Sequence, residues 1–150
     1  MTIIHDPFIN KIRDHIRFTA IEYPEGWERL LKSFSIPLAE GQAIHRTIDW
    51  SRISEKYETC YGLIDNESQI TEGLLKSPLN TCREVLMDFG FQYPVIVIPI
   101  KVFINNWLSF IKITTFTGTV VITEDGSLFM EFTDDADFLL ISNFLIVSNS

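Results

Sequence analysis

The stretch "GTVVITEDGSLFMEFTDDADFLLISNFLI", residues 118–146, decides the fold class. Gly118–Thr123 is β-branched and apolar, Glu124–Ser127 ("EDGS") has the composition of a tight turn, and Leu128–Thr133 again carries strand-forming residues. The spacing predicts a β-hairpin, with "DFLLISNFLI" (Asp137–Ile146) as a last strand pairing beside it. Within the second arm, Leu128, Met130 and Phe132 alternate with Phe129, Glu131 and Thr133. That period of two predicts the first three pointing into the core and Glu131 pointing outward.

Working upstream, "YPVIVIP" (Tyr93–Pro99) is β-branched without polar alternation, the pattern of a strand buried on both faces. Pro99 ends it. Ile100, Phe103, Ile104, Trp107, Leu108 and Ile111 then keep helical spacing, with Lys101, Asn105, Ser109 and Lys112 on the opposite side. A helix over 100–111 accounts for both sets better than a strand hairpin turning on Asn105 and Asn106. Before Gly90 helical spacing dominates. Asp6 and Pro7 form a cap and first-turn pair for a helix over 7–22, Pro24 and Gly26 break the chain, and Trp27, Leu30, Leu31 and Phe34 mark a short second helix. Ser35–His45 reads as a loop. Ile53, Tyr57 and Cys60 suggest a third helix starting near Asp49, and a weaker one covers 67–76. Ser77 then caps a helix presenting Leu79, Cys82, Leu86 and Phe89, closed by Gly90. With no repeat and no linker, the expectation is one α+β domain over 1–150. A helical N-terminal half packs with a mainly antiparallel sheet from the C-terminal half.

Composition narrows the function classes. With 46% apolar and 13% aromatic residues, the chain has ample surface to bury and is globular. Twenty acidic against twelve basic side chains give a formal charge of −8 and a pI near 4.8, which repels nucleic-acid phosphate and anionic lipid. A basic protein is the natural partner. The apolar runs are far shorter than the roughly 20 residues that cross a bilayer, and "MTIIHDPF" lacks the basic start of a secretory signal. The expected location is therefore cytoplasmic. Cys60 and Cys82 have neither disulfide-scaffold nor zinc spacing and read as buried thiols.

The segment Glu124–Asp137 gathers six carboxylates (Glu124, Asp125, Glu131, Asp134, Asp135, Asp137) in fourteen residues with no base among them. A calcium loop starting at Asp134 would need a glycine at Leu139 and a glutamate at Leu145, so no EF-hand exists. The histidines (His5, His15, His45) lie elsewhere without HExxH spacing, so no metal ligand and no cofactor is assigned. Cys60 with His45 and Asp49 is the one nucleophilic trio that can be assembled, and no catalytic signature accompanies it, so no catalytic residue is assigned. Trp27 and Trp107 belong to apolar helix faces. Trp50, flanked by Asp49, Ser51 and Arg52, is the candidate exposed anchor of an interface. One or two charges suffice to protect a sheet edge; six of one sign create a field that steers association. The partner-binding set is thus Glu124, Asp125, Glu131, Asp134, Asp135, Asp137 and Trp50.

A small acidic α+β chain with few cysteines, no catalytic signature and the segment "EDGSLFMEFTDDADFLLISNF" resembles the immunity proteins of bacterial toxin systems, including those of contact-dependent inhibition. The resemblance implies a bacterial antitoxin that neutralises one cognate protein toxin, often a basic nuclease, with the acidic surface substituting for substrate phosphates. It implies no enzymatic activity. Two other readings stand beside it. One is a small hydrolase with Glu131 and one of Asp134, Asp135 or Asp137 as acid and base. The other is a non-catalytic subunit of a larger complex, which would expose a large apolar patch.

Overall fold

The structure, a computed structural model, describes residues 6–40, 46–61, 66–89, 94–114, 119–133 and 138–146. Asp6 caps α1 (Pro7–Ile12), its carboxylate accepting the amides of Phe8 at 2.8 Å and Ile9 at 3.3 Å. A 3₁₀ turn (Arg13–His15) and the two-residue strand β1 (Arg17–Phe18) follow, so the helix predicted over 7–22 stops at Ile12. Next come α2 (Glu25–Ser33), β2 (Tyr57–Cys60), α3 (Glu67–Lys76), β3 (Glu84–Met87), β4 (Ile96–Pro99), α4 (Ile100–Lys112), β5 (Thr119–Thr123), β6 (Phe129–Phe132) and β7 (Leu139–Ser142).

The seven strands among the described residues form one antiparallel sheet in the order β1-β4-β3-β5-β6-β7-β2. The fold is α+β, as the hairpin stretch requires, but the division by halves is looser than expected. Strands β1 and β2 lie at the two edges of the sheet and β3 in its interior, all drawn from the stretch before Gly90 where helices were expected. The helix predicted from Asp49 is a 3₁₀ turn (Trp50–Arg52) followed by β2. The one predicted after Ser77 is a 3₁₀ turn (Pro78–Thr81), which Ser77 does cap, followed by β3. Residues 84–87 satisfy helical spacing locally, yet β4 and β5 flank them on both sides, and two ladders of hydrogen bonds outweigh intrinsic preference. Gly90, the expected helix terminator, lies outside the described residues.

The helix α4 forms where predicted. At Asn106 the backbone leaves helical geometry (φ −135°, ψ 19°), and its side-chain amide donates to the Val102 carbonyl at 2.9 Å. A helix thus carries the Asn105–Asn106 pair that could have turned a hairpin. The hairpin β5–β6 also forms, in the register Val120↔Glu131 and Val121↔Met130, with β7 beside β6.

Both faces of the sheet are covered. On one, α1, α3 and α4 pack on Val85, Met87, Ile98, Val121, Met130, Phe132 and Leu140, with Trp107 stacked on Phe132 at 5.8 Å. On the other, α2 and the segments 36–40 and 46–53 cover Val120, Ile122, Phe129 and Ile141. Trp27 and Trp107 are core residues, as their helix faces predict. Met130 and Phe132 point inward, as the alternation requires. Cys60 is exposed and Cys82 half-buried, so the reading of two buried thiols fails. Cys60 falls on β2, at one edge of the sheet.

Candidate functional site

The alternation along β6 sends Glu131 to the α2 face, away from Met130 and Phe132. That face is dry. Glu131 is fully buried, and the expectation of an outward carboxylate fails because residues 46–50 close over it. Its carboxylate accepts three donors from one short stretch. They are the Thr47 amide, the Ile48 amide at 3.2 Å and the Trp50 indole N–H at 2.9 Å. Burial pushes its pKa up from 4.5 to about 7; the Thr47 amide, the Trp50 indole, the Ile48 amide and the nearby Arg46 charge each pull the other way.

This carboxylate holds residues 46–52 against the sheet. The same segment is anchored further by the Leu38↔Ile48 bridge, by the Ala39 amide on the Thr47 carbonyl at 2.9 Å and by Lys56 Nζ on the Trp50 carbonyl at 2.9 Å. Trp50 packs on Phe129 with ring centroids 5.5 Å apart and is only 2% exposed. It is therefore an inward-facing residue, and the anchor role predicted for its side chain has no surface to act on. Glu131 and Trp50 leave the partner-binding set for one shared reason: each satisfies the other in the interior.

Around Glu131 the fold collects polar groups that the sequence does not bring together. The Tyr23 phenol is raised to about 12 by burial and by the charges of Asp88, Glu28 and Glu131. Asp88 is itself buried and accepts the Val120 amide at 3.1 Å. Beside them, between α2 and residues 38–40 and 46–47, lies a cavity of about 330 Å³. Sequence reasoning missed Tyr23, Glu28 and Asp88. Residues 47 and 131 are 84 positions apart, and Asp88 read as part of a helix that does not form.

Glu124 and Asp125 are exposed at the hairpin tip, where the turn composition places them. Asp125 Oδ1 accepts the Ser127 amide at 3.0 Å, the Ser127 hydroxyl at 2.7 Å and the Thr123 hydroxyl at 2.9 Å, and these bonds lower its pKa. Gly126 has φ +74°, and a Cβ there would stand 2.2 Å from the Phe34 ring. The tip thus rests on the residue that ends α2, with its two acids held outward. Both acids raise the pKa of the Cys82 thiol after burial, so that thiol lies in their field. Asp134, Asp135 and Asp137 lie outside the described residues, as does His45 of the nucleophilic trio. Among the described residues no three His, Cys, Asp or Glu side chains group together as metal ligands, and no helix is long and apolar enough to cross a membrane.

No family model, no curated protein and no solved structure matches this chain.

Proposed function

We propose that this protein is a bacterial, cytoplasmic immunity-type inhibitor that binds a cognate basic toxin, of nuclease character, through the acidic surface built around the β5–β6 turn. The observation that carries the reading is the hairpin tip. Glu124 and Asp125 project into solvent from a turn fixed by Asp125's own hydrogen bonds and by the fit of Gly126 on Phe34. The Asp125 carboxylate, held in one geometry, gives a partner's Arg or Lys a preorganised target, so less ordering entropy is lost on association. The chain's charge of −8 adds a long-range field of the same sign. Asp134, Asp135 and Asp137 extend the acidic segment in sequence and complete the proposed interface.

The hydrolase reading needs Glu131 at a substrate. Its carboxylate is instead held by three internal donors behind Thr47, Ile48 and Trp50, and that weighs against a role as general acid or base. The decisive experiment is capture of the partner from the source cell, guided by the adjacent reading frame, followed by kinetics with the quintuple variant E124Q/D125N/D134N/D135N/D137N. Association should slow and lose its salt dependence. Any acid paired centrally with an Arg should add about 2 to 5 kcal/mol through faster dissociation. Unchanged association at low salt would reduce the acidic segment to a solvated sheet edge.

A further inference from the structure

Among the described residues, β1 has no strand on its outer side. Thr19 continues the pairing of Arg17 and Phe18 with β4, its amide donating to the Val95 carbonyl at 2.9 Å. Bonded and non-bonded pairs alternate along an antiparallel ladder, so Arg17 and Thr19 turn their backbone groups toward β4 and Phe18 turns its N–H and C=O outward. Neither group of Phe18 meets a partner among the described residues. A free edge is usually guarded by a charge at such a position, but here the side chain is aromatic and 39% exposed.

The edge runs into a groove. Ala20, Ile21 and Glu22 form one wall, and Glu25, Arg29 and Leu30 of α2 form the other, around a volume of about 540 Å³. Ile21 and Leu30 are half-buried against the second core, so their outer sides give the groove an apolar floor. A groove beside an unpaired strand edge suits an extended chain, which adds main-chain hydrogen bonds to the edge and sets alternate side chains into the groove. Charge then selects the chain. Glu22 and Glu25 outnumber Arg29, and the whole protein carries −8. A second copy or an acidic segment meets repulsion there, whereas a segment bearing Lys or Arg between its apolar residues is attracted.

We propose that the groove between residues 20–22 and α2 binds an extended segment of a partner protein, one in which apolar residues alternate with Lys or Arg, paired to the free edge at Phe18. Because β1 is two residues long, the edge contributes only the N–H and C=O of Phe18, and the groove supplies the rest of the affinity. Neither Glu124 nor Asp125 lines the groove, so the inference goes beyond the acidic-turn reading and stands without it.

Fluorescence anisotropy at physiological salt, with short blocked peptides alternating Val with Lys and a second series alternating Val with Glu, is the test. The Val–Lys series should bind at sub-millimolar affinity, with amide chemical-shift changes concentrated over residues 17–33, and the Val–Glu series should not bind. F18P removes the outward N–H and spares the bonds to β4, as proline on an edge strand can. A20W fills the groove from an exposed position. Each should weaken binding about tenfold with little change in melting temperature, while E124Q/D125N at the hairpin tip should bind as wild type. Absence of binding by the Val–Lys series overturns the proposal. So does equal binding of both series, undiminished binding by both F18P and A20W, or loss of binding in E124Q/D125N, which would move the peptides to the hairpin tip. Dimerisation in sedimentation that A20W abolishes would also overturn it, by giving the groove to a second copy.

Discussion

Replacing Glu131 by Gln tests the account of the buried carboxylate quantitatively. The folded protein holds the Glu131 proton more tightly than the unfolded chain, because burial raises the pKa from 4.5 to about 7. The stability this group contributes is therefore fully present below about pH 4.5 and is lost as pH rises through about 7. At 1.36 kcal/mol per pH unit, the span from 4.5 to about 7 amounts to about 3 kcal/mol. Gln cannot ionise. Its amide oxygen can accept the Ile48 amide and the Trp50 indole, but its NH₂ offers the Thr47 amide no acceptor, whereas the hydroxyl oxygen of the protonated acid still does. E131Q should thus be the less stable of the two near pH 4.5. Equilibrium urea unfolding of both at a series of pH values gives the difference in unfolding free energy, in which the other titrating groups largely cancel. That difference should move in favour of E131Q by about 3 kcal/mol between pH 4.5 and about 8. A difference that stays flat across the range would refute the reasoning, because it would mean that the three donors fully compensate desolvation. A slope of opposite sign would mean that they overcompensate it.

Other perturbations address the rest of the frame. G126A should destabilise by about 1–3 kcal/mol, through the positive φ and the collision with Phe34, and F34A in the same chain should recover part of that loss in thermal unfolding. W107F breaks the bond from the Trp107 indole to the Thr71 hydroxyl at 2.9 Å, whereas W27F removes a donor that has no partner among the described residues. Denaturant titration should therefore show W107F as the costlier of two changes that remove equal volume from the core, by about 1–3 kcal/mol. D6A should lower stability by about 1 kcal/mol by uncapping α1, with the loss visible in the same titration.

The sequence reading succeeded where a segment's partners are local or its pattern is unambiguous. Helix α4 carries enough turns for its apolar stripe to outvote the Asn105–Asn106 pair, and the turn at Gly126 pins the β5–β6 register from within the hairpin. It failed where strands are short and defined by distant partners. Arg17 pairs with Val97 and Tyr57 with Ser142, so nothing near β1 or β2 in the sequence announces a strand, and helical spacing fills the gap by coincidence. Residues 36–40 and 46–53, which cover the second face, have no periodicity to read.

The misplacement of Glu131 has a different origin, because the signal was available. Alternation fixes which side a residue takes and is silent about whether that side is wet. The wetness is written in the neighbouring strands. Val120 and Ile141 are the cross-strand partners of Glu131, and Ile122 and Leu139 share their face. Neither "TVVI" nor "FLLI" alternates, so a sheet containing them cannot have one polar face, and a lone glutamate among those residues must be dry. A dry carboxylate in turn demands donors. The strands cannot supply them, since their amides are already engaged in the ladders on both sides. The donors must come from an irregular segment with amides to spare, together with a side chain able to offer an N–H without an accompanying charge. "RTIDW" (Arg46–Trp50) fits that description, and the same inference that moves Glu131 inward also brings Trp50 in with it.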